Sequence, residues 1–254
     1  MYLNIPLGKW FGVPVALHFS WVVFIAIVAF QNPNFAIVLS SVFGIVLLHE
    51  FGHSLAGMYF HHKTRSITIY PFGGVALMEM PAKSSQELVV ALAGPAVNVL
   101  FVPILWMLVH LFPDYGILNQ IYQSNFVLLV FNMLPSFPMD GGRVLRALMA
   151  MSLKDHARAT IIAAGVGKCF CILFGVVGFM VGNPLLVVIG FFIYLSADQE
   201  ISMARQEILT REMHDIVTGT KTLPTANRDF AESARMLGEI QRRVAAYESR
   251  SKSD

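Results

Sequence analysis

Three ionisable side chains lie close together inside a long apolar run, and the energetic cost of placing them there limits the folds that the chain can adopt. The run extends from Phe35 to Phe60 and contains the pentapeptide His49-Glu-Phe-Gly-His53. Side chains four positions apart on a helix share one face, so both imidazoles point the same way, with Glu50 beside them. Ionisable groups inside a membrane span are costly unless they face a cavity or a ligand. The H-E-x-x-H spacing suits two zinc-binding histidines and a general base, and it predicts a metal site.

The composition places this run in a membrane. Hydrophobic residues make up 56% of the 254 residues and charged residues only 13%, whereas typical soluble domains contain roughly 25% charged residues. The net charge of +2 and the lack of a basic run interleaved with aromatic residues argue against nucleic-acid binding. These features predict an all-α polytopic membrane protein surrounded by the lipid bilayer.

Six apolar segments have about the length that a helix needs to cross the hydrocarbon core, roughly 20 residues. They are Val13–Phe30, Phe35–Phe60, Ser85–Phe112, Leu118–Leu134, Thr160–Val181 and Pro184–Ala197. Lysine and arginine residues lie mostly on one side of these spans, and the loops around Asn32, Asp114 and Asn183 contain none. By the positive-inside rule we expect both termini in the cytoplasm of a bacterial or archaeal cell, with the spans in its inner membrane. Lys168, inside the fifth span, is the exception and is expected to snorkel to the interface or to pair within the bundle.

The stretch between the second and third spans has the alternation typical of β-strands. Ile67 and Ile69 alternate with polar residues before Pro71 and two glycines break the run. We expect a small membrane-associated β-hairpin here. It is either an ordinary hairpin or an exposed edge that binds an extended substrate peptide by strand pairing. The residues that would bind the substrate in the second case are Phe72, Gly73, Gly74 and Val75.

Two histidines leave a tetrahedral zinc ion short of one protein ligand and a water. The third ligand must reach the cytoplasmic half of the second span, where both histidines lie. Asp114 is on the outer side of the predicted topology and fails this test. Glu87 and Asp155 stand in hydrophilic stretches, where we expect solvated surface charges. Three weaker candidates remain, namely Glu79, Asp198 and Glu200.

Asp140 fits the required depth better than the other acidic residues. Prolines and glycines between Asn132 and Gly142 unwind the chain there, which a membrane tolerates only against protein or a water-filled cavity. The alternative is that Asp140 only caps the short amphipathic helix that follows, whose arginines are expected at the headgroup level. Asn98 lies at a similar depth, and it donates a hydrogen bond to an oxyanion or to substrate backbone, bridges helices, or does both.

The C-terminal part of the chain has a different character. From Ala197 onward charged residues are dense and apolar runs are short. We therefore divide the chain into a membrane domain, residues 1–200, and a short cytoplasmic tail, residues 201–254. Residues 212–217, 222–225 and 230–237 indicate a strand, a turn and a helix within the tail.

Four motifs in order along the chain make it resemble the site-2 protease family of intramembrane zinc metalloproteases. They are His49-Glu-Phe-Gly-His53, Phe72-Gly-Gly-Val-Ala-Leu77, Ala93-Gly-Pro-Ala-Val-Asn98 and Phe131-Asn-Met-Leu-Pro-Ser-Phe-Pro-Met-Asp-Gly-Gly-Arg143. The resemblance implies that His49, His53 and Asp140 bind one Zn²⁺, that Glu50 is the general base, and that Asn98 assists the substrate or the oxyanion. It also implies hydrolysis of peptide bonds in or near the transmembrane segment of single-span, membrane-tethered substrates, often regulators.

The compact layout is most similar to the branch of this family that often carries a pair of CBS modules. The tail here is too short for a nucleotide-binding pair, so it is either the opening of one CBS-like module or a partly disordered segment. The competing hypothesis for the whole chain is a divalent-metal transporter that uses the same histidines and aspartate. An oligomer is compatible with the sequence.

Overall fold

A computed structural model of the chain describes residues 4–79 and 81–218, which form seven helices and four strands. The chain divides into two compact units, residues 1–201 and residues 202–254. The elements, in order, are β1 (Asn4–Trp10), β2 (Val13–His18), α1 (Phe19–Gln31), α2 (Pro33–Tyr59), β3 (Thr64–Tyr70), β4 (Gly73–Met78), α3 (Ser84–Leu111), α4 (Gly116–Asn132), α5 (Asp140–Leu153), α6 (His156–Val181) and α7 (Pro184–Val217).

Four of the described helices, α2, α3, α6 and α7, are long and apolar enough to cross a membrane. Helix α1 has 13 residues and α4 has 17, and at 1.5 Å per residue they extend only about 20 and 26 Å. The chain is therefore a multi-pass membrane protein, but the described residues do not form six full-length helical spans.

The prediction that Val13–Phe30 forms a single helical span was wrong. Its first six residues form strand β2, and α1 begins only at Phe19, where the His18 ring nitrogen accepts a hydrogen bond from the Ser20 amide. Valines 13 and 15 alternate with partly exposed residues, and they are 1% exposed because β2 is packed inside a sheet. Hydropathy alone could not separate this strand from the apolar helix that follows it.

The sheet has four strands in the order β1-β2-β3-β4. The outer pairs are antiparallel and the central pair β2–β3 is parallel. The hairpin expected after the second span corresponds to β3 and β4, whereas β1 and β2 were not predicted. The inward side chains of β2 and β3 pack on Phe43, Leu47 and Phe51 of α2. This packing holds the sheet along the part of α2 that contains the histidine pair.

A buried ion-pair network joins α3, α5, α6 and α7, and it contradicts the prediction that Glu87 is a solvated charge. Glu87 is 1% exposed. Its carboxylate accepts a hydrogen bond from Nε of Arg146 at 2.8 Å and lies 3.1 Å from Nε2 of His156. Arg146 also pairs with Glu200 at 3.4 Å. The Arg146 side chain is only 11% exposed, so it is held within this network, and the expected headgroup depth of the α5 arginines stays a prediction.

Two other predictions concern charged segments. Lys168 adopts the second expected alternative, because its Nζ lies 2.8 Å from the Asp198 carboxylate. The prediction of a strand at residues 212–217 is wrong, because these residues form the C-terminal end of α7. The remaining turn and helix, with the CBS-like and disordered alternatives for the tail, lie outside the described residues.

Candidate metal centre

Helix α2 places both histidines at one buried spot. His49 and His53 are 4% and 3% exposed, and their Nε2 atoms lie 3.1 Å apart. Helix α3 crosses α2 here at Gly94, where an added Cβ atom would lie 2.2 Å from Nε2 of His53. A glycine at this crossing leaves room for the imidazoles.

Asp140 reaches the same spot from the first position of α5 and is 6% exposed. Its Oδ2 atom lies 3.0 Å from Nε2 of His49 and 3.2 Å from Nε2 of His53. The non-helical segment 133–139 folds back on the start of α5, where Gly141 leaves no space for a side chain. An added Cβ atom there would lie 2.3 Å from the Leu134 carbonyl oxygen. Close backbone packing therefore positions the carboxylate.

The hydrogen bonds of the two histidines suit a metal site. Nδ1 of His53 donates to the Val90 carbonyl at 2.7 Å, and Nδ1 of His49 donates to Oδ1 of Asn98 at 2.6 Å. Both rings thus carry a proton on Nδ1, which leaves Nε2 of each ring directed at the Asp140 carboxylate and able to bind a metal ion. Such an arrangement suits a cation at its centre.

The separations of the three ligand atoms also suit a metal ion. Two imidazoles and a carboxylate are a donor set that zinc prefers, with ligand distances of about 2.0–2.2 Å. In a tetrahedron of that size the ligand atoms lie about 3.3 Å apart, close to the 3.0–3.2 Å separations observed here. Within the described residues, His49, His53 and Asp140 are the group identified as able to hold a metal ion.

Asn98 is buried and supports His49. It is 0% exposed, and its Nδ2 donates to Oδ1 of Asn125 at 2.9 Å, while Nδ2 of Asn125 donates back to the Asn98 carbonyl at 3.1 Å. The amide therefore bridges α2, α3 and α4, which is the second alternative, and its role towards an oxyanion or substrate stays a prediction. Asn125 was not predicted, and its signal was a polar side chain on an apolar helix.

A cavity of about 700 Å³ opens beside the cluster. Glu50 and the three candidate ligands line it together with Phe72, Gly73, Gly74 and Val75. Gly74 packs against Glu50, because an added Cβ atom would lie 2.8 Å from its Cγ. Strand β4 is at the edge of the sheet. The structure thus brings the predicted base, the predicted ligands and the predicted substrate-binding residues to one cavity.

The other acidic candidates lie elsewhere. Asp198 and Glu200 are paired with Lys168 and Arg146, and Asp114 lies in the exposed turn before α4. Glu79 is exposed after β4. By contrast, Asn132 and Arg143 line the cavity without having been assigned a role. The signal for Arg143 was its position three residues after Asp140, which places both on one face of α5.

Comparisons with known proteins agree with this geometry. The family model of peptidase family M50 matches residues 35–124 and 115–175. The chain is similar to a zinc metalloprotease of Methanocaldococcus jannaschii, with 31% identity over 91% of this chain and 71% of the relative. It is also similar to the stage IV sporulation protein FB of Bacillus subtilis, with 28% identity over 66% of this chain and 59% of that protein.

A solved structure supports the same relationship. The site-2 protease from Methanocaldococcus jannaschii superposes with a TM-score of 0.58 at 33% identity, covering 78% of this chain and 95% of that one. These relatives give the transporter hypothesis no support. The family match, the identity to a zinc metalloprotease and the shared fold show that the chain belongs to peptidase family M50 and is a metalloprotease of the site-2 protease type.

Proposed function

We propose that this chain hydrolyses peptide bonds in or near the transmembrane segment of membrane-tethered proteins. One Zn²⁺ ion would be held by His49, His53 and Asp140. The observation that carries the proposal is the convergence of these three ligand atoms, 3.0–3.2 Å apart, in a cavity that also contains Glu50. The relatives named as zinc metalloproteases support the choice of metal and reaction.

Glu50 supplies the proton transfers of the reaction. When bound, zinc lowers the pKa of a coordinated water and polarises a carbonyl group. Glu50 follows His49 directly and lies on the cavity wall, where its carboxylate takes the proton of the attacking water and passes it to the leaving amine. Asn98 acts as a positioning residue, because it keeps the proton of His49 on Nδ1 and the Nε2 lone pair towards the metal.

Strand β4 offers a place for the substrate backbone. The amides of a helix are hydrogen-bonded to one another, so a substrate helix must unwind before one of its peptide bonds can be attacked. An edge strand binds such an opened segment by main-chain hydrogen bonds. Residues 72–75 lie at the edge of the sheet and on the wall of the cavity with Glu50, so a segment paired there would present its carbonyls to the metal site.

We further propose a six-span topology with both termini in the cytoplasm and the sheet at membrane depth. The distribution of lysine and arginine supports this orientation. Helix α1 would complete its span through strand β2, and α4 through the non-helical segment 133–139. Irregular backbone is tolerated at this depth because it packs on protein or lines the cavity.

The test uses the full-length chain in proteoliposomes with a tagged single-span substrate. Glu50→Gln is expected to keep the bound zinc and to reduce cleavage by about 10²–10⁴-fold. Glu79→Gln, which changes an exposed acidic residue, is the matched control and should cleave like the wild type. Cleavage by Glu50→Gln at the wild-type rate would refute the assignment of the base, and purified protein without zinc would refute the metal site.

A further inference from the structure

Arg143 is a charged residue on the cavity wall that the proposed reaction does not use. It lies three residues after Asp140 on α5 and is partly buried. Among the described residues none forms a hydrogen bond or an ion pair with its guanidinium group, and the Glu50 carboxylate on the wall of the same cavity interacts with it only electrostatically, over a longer distance. Arg146, the next arginine along α5, differs from Arg143 because it is paired with Glu87 and Glu200.

A guanidinium without a hydrogen-bonded partner in this location can bind an anionic group. Arginine stays charged at all physiological pH values and offers five N–H donors that match a carboxylate. The cavity is lined mostly by apolar residues, which come from α2, the β3–β4 hairpin and the segment before α5, and a charge without a close partner in such surroundings is costly. A molecule that enters the cavity can supply an anionic partner at hydrogen-bonding distance.

The directions of α5 and β4 indicate the side of the three candidate ligands on which such a partner would bind. Glu87, the partner of Arg146, precedes Val90 on α3, and Val90 binds His53. Helix α5 thus leads from the metal site towards the N-terminal end of α3. Strand β4 leads the same way, because Gly74 packs on Glu50 whereas Met78 packs near Gly57 at the C-terminal end of α2.

We infer that Arg143 binds an acidic side chain of the substrate, in the segment that continues from the cleavage site along β4 towards the C-terminal end of α2. This inference rests on the proposed function and specifies its substrate. Three residues of helix extend about 4.5 Å, and an extended peptide advances about 3.3 Å per residue. The acidic residue is therefore expected within about three positions of the scissile bond, on its cytoplasmic side.

A lipid phosphate is the other anion that a membrane offers. The position of Arg143 favours the substrate, because the residue faces the cavity that contains Glu50 and the metal ligands. A phosphate bound there would compete with the peptide that the cavity must accept. The two anions lead to different results in the experiment below.

The test is a charge exchange between enzyme and substrate in proteoliposomes. A tagged single-span substrate is given Glu, Gln or Lys at each of three positions on the cytoplasmic side of its mapped cleavage site. We expect the wild type to favour the Glu substrate over the Gln substrate by roughly tenfold in kcat/KM at one of these positions. Arg143→Gln should lose this preference, Arg143→Lys should retain part of it, and Arg143→Glu should favour the Lys substrate.

Arg158→Glu is the matched control, since its side chain is 75% exposed and does not line the cavity. It should keep the wild-type order of substrates. An unchanged order in Arg143→Glu, or an equal loss on every substrate, would refute the inference, as would a dependence on anionic lipid in place of substrate charge. Bound zinc and thermal unfolding identify misfolded variants, and Arg143→Gln and Arg143→Lys then decide the result. Undiminished cleavage by Glu50→Gln would instead refute the proposed function itself.

Discussion

The two parts of the candidate metal centre are built in different ways. His49 and His53 lie on one continuous helix, and the helical repeat alone puts their rings on the same face. Asp140 follows seven non-helical residues and reaches the histidines only because the backbone at Gly141 packs on the Leu134 carbonyl. The position of the histidine pair therefore depends on local structure and should tolerate substitutions around it. The position of Asp140 depends on packing and should be sensitive to small changes in side-chain size.

The supports of the two histidines differ in a similar way. His53 donates to a backbone carbonyl of α3, which no side-chain substitution removes directly. His49 donates to the Asn98 side chain, which is itself held by Asn125. Mutations can thus weaken the orientation of one histidine while leaving that of the other intact.

The largest effect is expected from removing a ligand in either part. His53→Ala and Asp140→Ala should both lose stoichiometric zinc and reduce cleavage on the order of 10³-fold or more, because water activation and carbonyl polarisation are lost together. Elemental analysis and cleavage of a tagged substrate measure the two effects. Full zinc content in Asp140→Ala would show that the packed segment does not contribute a ligand.

The next largest effect concerns the ion-pair network beside the packed segment. Arg146 lies over the Phe137 ring at 5.1 Å, so its partner Glu87 supports the segment that precedes Asp140. Glu87→Ala should lower the free energy of unfolding by about 3 kcal/mol, since it leaves a buried arginine without its main partner. Thermal unfolding in detergent measures this loss. Glu79→Ala, at an exposed residue, should change little, and equal stability of the two variants would contradict the prediction.

Adding one methyl group should distinguish packed from open glycines. Gly141→Ala forces a Cβ atom against the Leu134 carbonyl oxygen and should cost about 1–3 kcal/mol of stability while weakening zinc binding. Gly165→Ala on α6 is the control, because nothing lies within 4 Å of its added Cβ atom. This control should be stable or slightly stabilised. Normal zinc affinity in Gly141→Ala would show that the segment adapts without moving Asp140.

The smallest effect is expected from the support of His49. Asn98→Ala should weaken zinc binding by about 10–100-fold, as is usual when a group that orients a ligand is removed. Asn125→Ala should have a smaller effect because it acts through Asn98. Titration with a competing chelator measures both affinities. Equal affinities of Asn98→Ala and the wild type would show that the orientation of His49 does not depend on this amide.

The features that sequence reasoning missed have partners far away in the chain. Strand β2 was taken as the start of a helical span, since its parallel partner β3 is about 50 residues further on. Glu87 was taken as a solvated charge because Arg146 and His156 are 59 and 69 residues distant. Neither pairing leaves a periodic signal, so local composition was the only guide and it was misleading.

The sequence by itself determined the membrane character of the chain and the histidine pair, because apolar composition and helical periodicity are local properties. It also singled out Asp140, since a helix broken by proline and glycine at that depth needs a cavity or a ligand. Only the tertiary structure decided how Asp140 meets the histidines, that Asn98 contacts His49, and that Arg143 faces the cavity. These outcomes depend on close packing between distant segments, where differences of less than an ångström decide whether a side chain fits.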